Sequence, residues 1–157
     1  MGRLQGTNLV ITPLTNAEQR VLEQLSFGHG PGDGSTNLVM QPTTFNRHSA
    51  QIGLKLQVKG LAVKVQMGFV TGQLPLPEAK AAEAEFDKTE RRLWRALALH
   101  AASADIAKEA SIEPFDLPGV VTTLLEKAGA ANEAHLIRLG HAYGVLTQHD
   151  VPPPRAA

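Results

Sequence analysis

The sequence predicts a mainly α-helical protein, and three observations carry that expectation. Residues 15–27 place apolar side chains at helical spacing between a capping residue and a glycine. Residues 77–110 are rich in Ala, Glu, Lys, Arg and Leu, the residue types that lose least on entering a helix. Helical periodicity returns over about 118–127 and 132–148. The predicted organisation is an N-terminal unit at 1–72, a helical unit for dimerisation or partner binding at 73–150, and a short tail at 151–157. A chain of 157 residues buries a sizeable core, and 43% hydrophobic content argues against global disorder. With one Trp, one Tyr and five Phe, that core must rest on aliphatic side chains.

In the first element, Thr15 or Asn16 supplies an N-cap, because its side-chain oxygen accepts from a free amide of the first turn. Val21, Leu22 and Leu25 form the apolar stripe, and Phe27-Gly28 ends it. Residues 28–35 hold four glycines and a proline, the poorest helix formers, and read as a loop. Residues 7–15 and 36–44 echo each other: each is a short apolar run, a proline and then a threonine suited to capping. The echo points to a helix starting near Thr44, but two copies of nine residues do not define a repeat architecture.

Residues 44–70 carry two patterns. Phe45, Ile52 and Leu56 fall at helical spacing. Ile52, Leu54, Leu56 and Val58 also alternate, as do Leu61, Val63, Val65, Met67 and Phe69. A turn at Lys59-Gly60 would put both sets on one face of a β-hairpin at about 50–70, giving an α+β fold instead. Both readings stay open on the sequence. Further on, Pro77 suits a first helical turn, and Ala82, Phe86, Leu93, Leu97 and Ala101 line one face of a single long helix over 77–110. Pro114 and Pro118 interrupt the chain, Gly129 stops the next helix, and the proline-rich tail is expected to fray.

Net charge is zero but uneven. Residues 1–75 carry six basic and three acidic side chains, and the remainder nine and twelve. There is no cysteine, which excludes disulfides, thiolate zinc sites and cysteine nucleophiles and fits a cytoplasmic protein. No apolar run approaches a membrane span, and the N-terminus lacks a signal-like apolar stretch.

One pair of segments points to a function. Leu14, Thr15, Glu18, Val21, Leu22, Leu25 and Gly28 are followed at a fixed distance by Thr44, His48, Ile52, Lys55, Leu56 and Val58, with Leu38 between them. This set resembles the helix-turn-helix of the LuxR/GerE transcription regulators. The resemblance covers residues 14–58 and implies that 44–58 is a DNA-reading helix. It further implies that Asn46, Arg47 and Gln51 face base edges while Thr44 and Lys55 contact phosphates. Arg suits guanine, and Asn or Gln suits adenine, through paired hydrogen bonds. The sequence departs from the family at Gly34-Ser35, which stands where the second helix carries Ile-Ala.

Other motifs carry less. The glycine-rich stretch lacks the Gly-Lys-Ser/Thr of a phosphate loop. Six histidines show no ligand spacing; His135 and His141 are six apart and lie on different helix faces. Glu113 and Asp116 suit capping, and Trp94 suits core or interface packing. The expectation is therefore a non-enzymatic DNA-binding transcriptional regulator without cofactor or metal, bound to double-stranded DNA as a homo-oligomer. The alternative is a structural or assembly subunit of a virion, capsid- or tail-associated, which the hairpin reading favours.

Overall fold

A computed structural model describes residues 2–3 and 10–153. Among these, eight helices account for nearly all regular structure, so the fold is mainly α. They are α1 (Asn16–Ser26), α2 (Pro31–Leu38), α3 (Pro42–Leu56), α4 (Leu61–Val70), α5 (Lys88–Leu99), α6 (Ser103–Ala110), α7 (Leu117–Ala128) and α8 (Glu133–Ala142). A two-residue antiparallel pairing joins β1 (Gly2–Arg3) to β2 (Val10–Ile11). The first copy of the short echo falls partly on residues 7–9, outside the described residues, as do residues 154–157 of the tail.

The first helix forms as its sequence dictates. The Thr15 hydroxyl accepts from the Glu18 amide at 3.2 Å, and the Glu18 carboxylate accepts from the Thr15 amide at 2.9 Å, a reciprocal capping box. Its stripe of Val21, Leu22 and Leu25 is fully buried.

Three expectations need correction. Residues 31–38 are not loop but the helix α2. Pro31 at the first turn presets φ, and the hydroxyls of Ser35 and Thr36 both donate to the Gly32 carbonyl. Tertiary packing overrides the poor propensity. Residues 50–70 form no hairpin: they are the end of α3 and the whole of α4, separated by the left-handed Gln57 and by Gly60 at φ 95°. The strict alternation fails as a strand signal because α4 is buried on nearly all sides, so apolar residues of either parity are accommodated. Finally, 77–110 is not one helix. The Asp87 side chain caps the Glu90 amide at 2.8 Å and starts α5 there. Residues 77–86 instead drape over the end of α8, where the Lys80 amide donates to the Ala142 carbonyl at 2.9 Å. The chain breaks again at His100–Ala102, so that α6 folds back and buries Ile106, Ala107 and Ala110 against α5.

Two smaller boundaries also shift. Helix α3 starts at Pro42 rather than at Thr44, because the proline fits the first turn. Helix α8 ends at Ala142 rather than near 148, with Gly144 in the left-handed region.

The eight helices are two copies of one four-helix unit. Shifting α2 by 72 residues gives α6, and shifting α4 by 72 gives α8, end to end. The details repeat at the same interval. Capping boxes start α1 at Thr15/Glu18 and α5 at Asp87/Glu90. The left-handed residues that end α2 and α6, Val39 and Ser111, both have φ 56°. Glu18 pairs with Lys55 at 2.7 Å, and Glu90 with Lys127 at 2.9 Å. Gly68 faces Leu22 and Leu74, and Gly140 faces their counterparts Trp94 and Leu146.

The two units pack with like against like. Helix α4 lies on α8, α1 touches α8, and α5 touches α4. Exchanging the units maps this set onto itself, the signature of an isologous, two-fold-like arrangement. Equivalent residues reach across in both directions. Gln66 donates to the carbonyls of Thr147 and Asp150 at 3.1 and 2.6 Å. Its counterpart Arg138 donates to the Ser26 hydroxyl at 3.0 Å and covers the Phe27 ring at 4.2 Å. One continuous hydrophobic core runs through both units.

Candidate nucleic-acid interface

Helix α3 follows α2 after a three-residue turn, Val39 to Gln41. It packs against α1, α2 and α4 through Phe45, Ser49, Ile52, Gly53 and Leu56, all buried. Burying one side leaves a continuous opposite side in solvent: Thr43, Asn46, Arg47, Ala50, Gln51 and Leu54 are exposed. These positions recur at three- and four-residue spacing, so they share one face.

The five residues singled out from the sequence separate into two groups. Asn46, Arg47 and Gln51 stand together on the exposed face, and among the described residues none of their side chains is engaged in a hydrogen bond or ion pair. Their donors and acceptors are unspent. Thr44 is half-buried at the edge of that face. Lys55 lies apart: its ammonium sits 2.7 Å from a carboxylate oxygen of Glu18, and its backbone carbonyl accepts from the Thr12 amide at 3.2 Å. Burial opposes ionisation of Glu18. The Lys55 contact and the Thr15 amide outweigh it and hold that carboxyl below its usual value. Lys55 thus ties α3 to α1 rather than projecting to a ligand.

The glycine at position 34 explains how α2 supports α3. A Cβ placed on Gly34 would fall 2.4 Å from the Phe45 ring, so the two helix backbones approach only because that side chain is absent. Gly34-Ser35 therefore occupy, buried, the middle of a real second helix. Gly34→Ala gains roughly 1 kcal/mol of helix propensity, but overpacking against a rigid ring costs more, about 1–3 kcal/mol. The expected outcome is a lower midpoint in chemical denaturation, recovered when Phe45→Leu is added. A midpoint at or above that of the parent chain would remove this packing role.

The helix predicted over about 118–127 is present as α7, and what the sequence reading missed is that it occupies in the second unit the place of α3 in the first. Its exposed face carries Pro118, Gly119, Thr122, Thr123 and Glu126. In place of Asn46, Arg47 and Gln51 stand Pro118, Gly119 and Thr123. Glu113, Asp116 and Glu126 make this end of the molecule acidic, and Lys127 is held by Glu90. Phe115, just before α7, is 95% exposed. The signal that reveals this equivalence is the recurrence at 72 residues of Glu18, Arg20, Leu25, Lys55, Gly68 and Leu74 as Glu90, Arg92, Leu97, Lys127, Gly140 and Leu146.

Elsewhere, a cleft of about 340 Å³ lies between the starts of α4 and α8, lined by Gly60, Leu61, Val63, Ala101, Asn132 and Glu133 among others. It includes no residue of α3. Burial pushes the Glu133 carboxyl up, which disfavours an anion there. Among the described residues, no group of three or more His, Asp or Glu side chains is placed to hold a metal ion, and no helix is long and apolar enough to cross a membrane. No protein-family model matches the chain, and neither a curated protein nor a solved structure matches it.

Proposed function

We propose that this protein binds double-stranded DNA through the exposed face of α3 and acts as a transcriptional regulator. The observation that carries this reading is the set Asn46, Arg47 and Gln51, unengaged and side by side on a helix braced from behind by α1 and α2. A helix held this way after a short turn presents its side chains to the major groove. Arg47 offers a paired contact to guanine, and Asn46 and Gln51 to adenine. The surplus of positive charge in residues 1–75 favours the phosphate backbone. Thr44 remains a phosphate contact at the rim, while the Lys55 ammonium is directed to Glu18. The assembly role loses the hairpin, one of the features that favoured it.

The test is DNA binding by fluorescence anisotropy across a salt series, using duplexes enriched from a random pool. Affinity is expected to fall steeply with salt. Arg47→Ala is expected to weaken the selected duplex by roughly 10- to 100-fold, about 1–3 kcal/mol, and to relax preference at one base position. Lys55→Ala is expected to lower thermal stability while leaving the salt slope in place. No enrichment at low salt, or an unchanged affinity for Arg47→Ala, defeats the reading.

A further inference from the structure

We propose that a single chain is the complete DNA-binding unit, and that it reads one asymmetric half-site through α3 alone. This rests on the DNA-binding reading above and extends it to stoichiometry and site symmetry.

Two features carry the inference. The first is the internal pairing. Two-fold readers of palindromic DNA join two equivalent units through a self-complementary surface. Here that surface is occupied within the chain, because α4 of the first unit is buried against α8 of the second. The contact is specific rather than merely apolar. Gln66 is fully buried with its amide donors on Thr147 and Asp150 and its oxygen 2.7 Å from the His141 ring nitrogen. From the other side, Arg138 reaches Ser26, and the Asn132 amide donates to the Gly28 carbonyl at 3.1 Å. A second copy therefore has no free α4 or α8 face to dock on.

The second feature is the divergence of the twin helices. Arg47 is replaced by Gly119, Asn46 by Pro118 and Leu54 by Glu126 at matching positions. Gly119 and Pro118 present no side-chain donor at all, and Glu126 with Asp116 would face phosphates with like charge. The duplicated unit has kept the pairs that hold its helices, Glu90 to Lys127 above all, while its outward face has lost the means to read bases. The homo-oligomer expected from the sequence is replaced by a pair internal to one chain.

The experiment combines sedimentation equilibrium of the full chain, free and with a selected duplex, with the symmetry of the selected sequence. One chain per particle, one chain per duplex and a motif without inverted repeat are the expected results. A dimer at micromolar concentration, two chains per duplex, or an inverted repeat with halves about 10 bp apart would overturn the proposal. A second arm transfers the α3 face to α7 by Pro118→Asn, Gly119→Arg, Thr123→Gln and Glu126→Leu. Acquisition of a second recognised half in the motif supports the equivalence of α3 and α7; an unchanged motif from a folded variant counts against it. If no duplex is selected by the parent chain, the DNA-binding reading fails with it, whereas a free dimer alone defeats the single-chain proposal and leaves the DNA-binding reading standing.

Discussion

Trp94→Ala is expected to cost about 3–5 kcal/mol, the range for removing a large, fully buried aromatic side chain. The indole sits where the second unit closes on itself. Its N–H donates to the Leu136 carbonyl at 2.8 Å, which fastens α5 to α8. Its ring meets Phe86 edge-on at 4.9 Å and Tyr143 at 6.3 Å. Gly140 stays without a side chain to admit it: a Cβ there would lie 2.7 Å from the indole nitrogen. Truncation leaves a cavity that these neighbours cannot readily fill, because Phe86 stands just ahead of the Asp87 cap of α5 and Tyr143 at the C-cap of α8. Since α8 also carries the contact with α4, the loss reaches the first unit. At about 2–4 °C per kcal/mol for a chain of this size, the melting temperature should fall by roughly 10 °C. Trp94→Phe keeps the packing and loses only the hydrogen bond, so a drop of about 1–2 kcal/mol is expected. Equal losses for the two variants would show that the hydrogen bond, not the volume, dominates.

The same helix shows what the sequence made legible. Signals written in two or three adjacent residues translate directly. Thr15 with Glu18 starts α1, Gly129 in the left-handed region stops α7, and Asn132 caps the His135 amide to start α8. What fails is any element whose local preference is overruled by a distant contact. Four glycines argue for a loop at 28–35, yet Gly34 is needed for Phe45 to pack, so α2 forms. The Ala- and Glu-rich stretch at 77–86 favours helix, yet its backbone is recruited by the end of α8, and Phe86 by Trp94. The break at His100–Ala102 carries neither Gly nor Pro, and only the burial of α6 against α5 requires it.

For the candidate site, the exposed side of α3 follows from the buried positions Phe45, Ile52 and Leu56, which the periodicity identifies. The engagement of Lys55 does not, because its partner Glu18 is 37 residues away. The duplication was hidden for a related reason. What recurs at 72 residues is mainly caps, ion pairs and small residues at helix crossings, while the apolar positions interchange freely, as Leu22 with Trp94 and Phe45 with Leu117.

Acidification from pH 7 to pH 5 is expected to weaken the fold by about 2 kcal/mol through His141 alone. This ring is packed against Phe69 at 4.5 Å between the two units, with a nitrogen 2.7 Å from the Gln66 side-chain oxygen. Gln66 uses its amide hydrogens on Thr147 and Asp150, so its oxygen accepts and the imidazole Nε2 must carry the hydrogen. Burial lowers the pKa from 6.5 to about 4, against the smaller pull of Asp150. A group whose folded pKa is depressed in this cationic sense stays neutral in the native state while the unfolded chain takes up a proton. Stability is therefore intact above about pH 6.5 and is lost progressively below it, at about 1.4 kcal/mol per pH unit until the folded pKa is reached. His135 works in the same direction, held down by burial and by Arg138, Lys80 and His29. Glu133 opposes it, since burial raises that carboxyl, but from 4.5 upward rather than from 6.5 downward. Urea unfolding at pH 7, 6 and 5 measures the slope. His141→Gln keeps a donor toward Gln66 without titrating, and should flatten most of it. A slope that survives in that variant would place the acid sensitivity on His135 or elsewhere, and would free the contact between α4 and α8 from any dependence on pH.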